Sequence, residues 1–297
     1  MQASSRIDTS LNADWTFQRS DASGAEAPGF DDRAWTKLDL PHSWNAMDGQ
    51  DGPTTPYYRG VGWYRKHHTF ASSLMGRRIY LQFDGSNMIS DVYVNGKPAG
   101  SHAGGFGAFR FDVTDLVMLG ADNVLAVKAD NSAGVDENNA ITTCPTANVA
   151  PLNADFTFFG GIYRGVHLLS TPPLAISPLD FGSSGVYVTQ SNVSAASADL
   201  SIKVKLANAN PEMTTANLTA TVLDATGAEV ISASFSQAVP GKGTADATAT
   251  RKVMNPHLWN GLADPYLYSV RVDLLDRGTV SDSITVPLGL RSFSLDP

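Results

Sequence analysis

The stretch richest in chemistry is Ala154-Asp155-Phe156-Thr157-Phe158-Phe159-Gly160-Gly161-Ile162-Tyr163-Arg164-Gly165-Val166. It sets one carboxylate, Asp155, beside three phenylalanines, just ahead of a double-glycine bend that enters a strand. Aromatic rings cover C–H faces and a carboxylate accepts hydroxyl hydrogen bonds, so the combination suits a sugar. A solvated aspartate beside core phenylalanines is the plainer alternative. Other reactive-looking groups read as structural. His67 and His68 are neighbours on a strand, point to opposite faces and cannot share a metal. Gly104-Gly105-Phe106-Gly107 has no helix after it to cradle a phosphate, and reads as a turn or bulge. Nucleophile elbows, Gly-Lys-Ser/Thr loops and His-Glu-x-x-His are absent from the sequence. Asn192-Val193-Ser194 and Asn217-Leu218-Thr219 fit the glycosylation triplet, which has meaning only in a eukaryotic secretory setting.

Composition narrows the classes that can hold such a stretch. The chain has 297 residues, 21 Lys plus Arg against 29 Asp plus Glu, and a formal charge of −8. An acidic chain without a basic run is a poor partner for nucleic acid. No apolar run approaches the roughly 20 residues of a membrane helix, so no membrane partner is expected. The single cysteine, Cys144, excludes an internal disulfide and a cysteine-based zinc cage. The polar start Met1–Arg6 has no apolar core of a signal peptide. A start just after a removed signal and a cytoplasmic start both fit, so localisation is left open.

Strand patterns dominate. Ile79, Leu81 and Phe83 alternate with Tyr80 and Gln82. Asp91–Val94 runs into Asn95-Gly96, the strongest short hairpin signal. Val124–Val127 is a short apolar strand. Leu200, Ile202, Val204 and Leu206 make one face, Leu218, Ala220 and Val222 another. Tyr266, Tyr268, Val270, Val272 and Leu274 form the longest, opposite Ser269, Arg271 and Asp273. Helical stripes are nearly absent, Asp115–Leu119 being too short to count. Many short strands with frequent turns, 26 glycines and 16 prolines predict an all-β chain of sandwiches or barrels. Pro172-Pro173 marks a boundary, giving domains 1–172 and 173–297. Four of the five tryptophans precede it. A (β/α)₈ barrel takes about 250 residues and does not fit beside them.

Several segments, in order, resemble the N-terminal, non-catalytic part of glycoside hydrolase family 2 enzymes. They are Leu11-Asn12-Ala13-Asp14-Trp15-Thr16-Phe17, Leu40-Pro41-His42-Ser43-Trp44, Gly62-Trp63-Tyr64-Arg65-Lys66, Phe83-Asp84-Gly85 through Asn95-Gly96, and Asp155 through Val166. Asn255-Pro256-His257-Leu258-Trp259, Pro265-Tyr266-Leu267-Tyr268 and Leu288-Gly289-Leu290-Arg291 complete the series. The Phe-Gly-Gly-Ile-Tyr-Arg form is more like the β-galactosidases than the β-glucuronidases or β-mannosidases. The resemblance implies a jelly-roll sugar-binding domain, then an immunoglobulin-like sandwich, then a catalytic barrel that this sequence lacks. The family's acid/base glutamate lies in an Asn-Glu-Pro motif; only Asn210-Pro211-Glu212 occurs here, in the wrong order.

By the same resemblance Asp155 is expected to bind substrate hydroxyls and a sodium ion, for which a carboxylate is a suitable hard ligand. Asn45, the one asparagine between Trp44 and Gly60, inherits a substrate-contacting role. Magnesium belongs to the barrel. The implied partners are a β-galactoside or related glycan, the C-terminal barrel, and other copies in a homo-oligomer. The alternative is a free-standing carbohydrate-binding or adhesion module, with Tyr57, Tyr58 or Trp44 stacking on a glycan.

Overall fold

The computed structural model describes residues 6–46, 48, 58–132 and 159–293. They divide into two compact units between Ser170 and Thr171: Asp8–Ser170, and the remainder, which includes Arg6 and Ile7. Among the described residues there is no α-helix, and one 3₁₀ turn spans Ser72–Leu74.

Among the described residues ten strands run through the first part of the chain: β1 (Ile7–Ser10), β2 (Trp15–Gln18), β3 (Thr36–Leu38), β4 (Val61–Thr69), β5 (Arg78–Phe83), β6 (Ile89–Val94), β7 (Lys97–Ala103), β8 (Phe109–Asp112), β9 (Asp122–Asp130) and β10 (Val166–Thr171). They form two sheets, a six-stranded one in the order β3-β2-β4-β9-β6-β7 and a four-stranded one in the order β1-β10-β5-β8. This is the expected jelly-roll sandwich. The central strand β9 is apolar on both faces: Val124, Leu125, Ala126 and Val127 are all at most 4% exposed. Asn95-Gly96 makes the tight β6–β7 turn, both residues adopting positive φ.

Eight strands follow: β11 (Leu174–Ile176), β12 (Val186–Ser191), β13 (Ser197–Asn208), β14 (Thr214–Leu223), β15 (Glu229–Val239), β16 (Gly243–Met254), β17 (Tyr268–Asp276) and β18 (Thr279–Leu288). In one sheet β13 pairs with β11, β12 and β16; the other has the order β15-β14-β17-β18. Period-2 faces meet between them, Leu200, Ile202, Val204 and Leu206 packing with Leu218, Val222, Val270, Val272 and Leu274. This is the immunoglobulin-like sandwich. Its last alternating face starts later than expected. β17 begins at Tyr268, while Tyr266 follows Pro265 and stacks on His257 at 3.9 Å.

A buried guanidinium organises the loop between β2 and β3. Arg65 on β4 is fully buried. Its Nε donates to Asp32 Oδ2 at 3.0 Å, and its remaining N–H groups reach the carbonyls of Ala25, Ala27 and Phe30. Asp32 Oδ2 also accepts the Thr16 hydroxyl at 3.0 Å. Three carbonyls and one largely buried carboxylate therefore depend on one fork-shaped donor. Replacing Arg65 with Met should cost the first unit about 3–5 kcal/mol, because it strands a buried charge. Urea unfolding followed by tryptophan fluorescence checks this. A loss below about 1 kcal/mol would show that the loop reorganises around the hole.

Candidate functional site

The segment after residue 158 runs between two loops and is hydrogen-bonded on both sides. On one side the Trp44 N–H donates to Gly160 O at 3.3 Å and the His42 N–H to Ile162 O at 2.8 Å. On the other, Asn87 and Gly161 exchange backbone hydrogen bonds of 3.0 and 3.2 Å, and Asn87 Nδ2 donates to Phe159 O at 2.6 Å. The double glycine is required by contact. A Cβ at Gly160 would lie 2.0 Å from Trp44 Cζ2. A Cβ at Gly161, whose φ is 115°, would lie 2.6 Å from the Tyr64 hydroxyl.

Asn45 sits at the root of this segment, 1% exposed. Its Nδ2 donates to Asp48 Oδ2 at 2.9 Å and to Tyr58 O at 2.8 Å. Its Oδ1 accepts the Gly160 N–H at 2.7 Å and Asn131 Nδ2 at 3.4 Å. All four hydrogen-bonding positions of the amide are taken by the protein itself. Asn131 extends the set, its backbone N–H donating to Gly60 O at 3.1 Å and its Oδ1 accepting the Gly60 N–H at 2.9 Å.

Beside this root lies an open cleft of about 570 Å³, lined by Phe17, Gln18, Arg19, His42, Trp44 and Asp48 among others. Arg19 pairs with Asp48 at 3.4 Å and lies over the Tyr58 ring at 5.4 Å. His42 Nδ1 meets the Tyr64 hydroxyl at 2.8 Å. Burial holds His42 below its ordinary pKa and pushes the Tyr64 phenol well above its own. Among the described residues Asp48 is the one carboxylate in the lining, so they form no pair of carboxylates there.

Asp155, with its expected sugar and sodium contacts, lies outside the described residues, as do Tyr57 and Cys144. Trp44 does not offer the stacking platform of the alternative reading. It is 5% exposed, stacks on Phe17 at 6.0 Å and is pressed against Gly160. Gly104-Gly105-Phe106-Gly107 is a turn packed on Asn87, and Gly105 O accepts the Tyr163 hydroxyl. His67 binds Asp122 at 2.7 Å while His68 packs edge-on against Phe70. Among the described residues no three His, Cys, Asp or Glu side chains gather to hold a metal. Sequence reasoning missed Asp48 and Asn131. Asparagines at strand ends were the available signal, because buried backbone there needs a side chain with both donors and acceptors.

Residues 9–172 match the family model described as "Glycosyl hydrolases family 2, sugar binding domain", and residues 184–291 match "Glycosyl hydrolases family 2". A β-glucuronidase of Bacteroides fragilis is 40% identical over 294 residues, covering 98% of this chain and 39% of that protein. β-Galactosidase BoGH2A of Bacteroides ovatus is 33% identical over 301 residues, covering 99% of this chain and 32% of that protein. The solved structure of Bacteroides uniformis β-glucuronidase 2, covalently bound to cyclophellitol-6-carboxylate aziridine, superposes with a TM-score of 0.87 at 31% identity. That match covers 98% of this chain and 33% of the other. The chain thus spans about a third to two fifths of the length of these relatives.

Two outcomes follow from the geometry. Gly160→Ala should drive Trp44 from its seat, shift tryptophan emission, and destabilise the first unit by at least the 1–3 kcal/mol typical of overpacking, roughly. An unchanged spectrum and melting temperature would mean the contact relaxes. The second outcome concerns acid. His42, His68 and His102 are all held below their ordinary pKa, chiefly by burial. Their unfolded forms take up protons near pH 6.5 while the folded forms resist, so stability is full above about pH 6.5 and falls below it. Calorimetry from pH 7.5 to 5.5 should show the first unit's melting temperature dropping, and His42→Gln should flatten the slope.

Proposed function

The chain belongs to glycosyl hydrolase family 2, and on that premise we propose that it acts as the N-terminal, non-catalytic region of a retaining β-glycosidase. The observation that carries the reading is the pair of family matches, one over each β unit, in relatives whose remaining length lies outside the matched region. Retaining hydrolysis needs two carboxylates about 5–5.5 Å apart across the sugar. On this reading both come from a barrel beyond the matched region. This chain contributes the segment that ends at Gly160, and Asp155 within it is the proposed acceptor for sugar hydroxyls. Sodium binding then joins Asp155 to groups of the barrel, and magnesium sits on the barrel alone. A homo-oligomer fits the same role.

The substrate we propose is a β-galactoside, from the Phe-Gly-Gly-Ile-Tyr-Arg segment. A β-glucuronide is the second reading, favoured by the name of the 40% identical relative. Aryl β-galactoside and aryl β-glucuronide, offered to the complete polypeptide, separate the two. This chain alone should turn over neither. In the complete polypeptide Asp155→Asn loses a charge-assisted hydrogen bond worth about 1.5–3 kcal/mol. That corresponds to roughly a 10–200-fold loss of kcat/KM, with folding little changed. If kcat/KM holds and the melting temperature falls by many degrees, Asp155 is a scaffold residue and the assignment fails.

A further inference from the structure

The described residues that flank the stretches 49–57 and 133–158 meet at one buried amide, that of Asn45. Asp48 and Tyr58 flank the first, and Asn45 Nδ2 donates to both, at 2.9 and 2.8 Å. Ser132 and Phe159 flank the second, and Asn45 Oδ1 accepts from their neighbours Asn131 and Gly160, at 3.4 and 2.7 Å. Tyr58 and Gly60 are tied in again, the Tyr58 N–H to Asp48 Oδ2 at 3.1 Å and the Gly60 N–H to Asn131 Oδ1 at 2.9 Å. A primary amide suits this junction because it offers two donors and two acceptor lone pairs in one plane. Aspartate has no donor, and glutamine is a methylene longer in a site 1% exposed.

We propose that Asn45 is a positioning residue. It clasps the described residues that flank both stretches, and so fixes the end at Gly160 from which the chain runs back to Asp155. It thus serves the sugar site by placement and not by touching substrate. This rests on the reading of Asp155 given above. A misplacement of about 1 Å far from the chemistry can cost on the order of a hundredfold in rate, so the clasp has leverage.

The test uses three variants of the complete polypeptide: Asn45→Ala, Asn45→Asp, and Asn45→Asp combined with Asp48→Asn. The Ala variant removes every contact. Asn45→Asp keeps both acceptor contacts, loses both donors and sets two carboxylates face to face. The paired exchange restores one donor between positions 45 and 48. Amide hydrogen exchange reads the clasp, and kcat and KM on an aryl β-glycoside read the site. In the Ala variant, exchange should accelerate at least about tenfold at Gly160 and Gly60 together, while Tyr64 and Val127 in the central strands stay protected. Turnover should fall about 10–100-fold, mainly in kcat, and the paired exchange should recover part of what Asn45→Asp loses. Acceleration confined to Gly160 overturns the clasp. A kinetic loss without any exchange change makes Asn45 a direct substrate contact and also overturns it. A loosened clasp with unchanged kinetics, while Asp155→Asn still impairs turnover, leaves Asn45 structural only. If neither variant impairs turnover, the reading of Asp155 is what has failed.

Discussion

The end of the jelly roll depends on one close approach, the backbone of Gly160-Gly161 against Trp44 and Tyr64. Neither position has room for a Cβ, since each would come within 2.6 Å of an aromatic side-chain atom. Because the glycines lie this close, their N–H and C=O groups reach the loops on either side. Those bonds are needed, since buried backbone polar groups without partners cost as much as lost hydrogen bonds. Trp44 is fixed in turn between Gly160, Gly62 and the Phe17 ring. An aromatic that a sequence-only view would offer to a ligand is therefore consumed in holding the chain. Along the cleft the exposed charged group is the Arg19 guanidinium, with Asp48 largely buried beside it.

The two units meet the problem of buried polarity differently. The first spends side chains on it. Asn45, Asn87, Asn123 and Asn131 are each at most 4% exposed, and Arg65 and Asp32 form a buried pair. Asn123 alone accepts the Met118 N–H at 2.7 Å and donates to the carbonyls of Met118 and Ala121 at 2.8 and 2.9 Å. These are loop-closing contacts in a sandwich whose connections are long and aperiodic. The second unit closes mostly by ladder hydrogen bonds between long strands, β13 pairing residue for residue with β16 along its full length. Its interior is correspondingly aliphatic, and its lysine ion pairs, such as Lys203–Asp246 and Lys252–Asp199, lie on the surface where each contributes little.

That contrast explains what could be read in advance. The strands around Leu200, Leu218 and Val270 were legible because alternation is a local property, and Asn95-Gly96 because a tight hairpin demands positive φ. Tyr266 broke its own pattern because Pro265 precedes it and a stacking partner, His257, lies in the preceding loop. The candidate site was legible only where it is continuous in sequence, as in Phe159–Arg164. The Asn45 junction was not. Its partners lie 86 and 115 residues away, and no spacing rule brings an asparagine, a glycine N–H and a second asparagine together over that distance. Asn45 could be singled out by family order, but its four partners had to come from the fold.

The order of residues along the chain is also not the order of packing. Arg6 precedes the first strand yet belongs to the second unit. Its Nε and Nη2 bind Asp282 at 3.1 and 2.9 Å, and Nη2 also donates to Ile176 O. Asp282 is fully buried on β18 and takes the Ile176 N–H at 2.9 Å as well. A buried carboxylate of this kind is tolerable only while its cation stays in place, since removing one partner of a buried pair costs far more than the pair contributes. The immunoglobulin-like unit is therefore closed by a residue that the chain supplies before the jelly roll begins. A domain cut made at Pro172-Pro173 would divide the sequence where its composition changes, and would still leave Asp282 without its counter-charge.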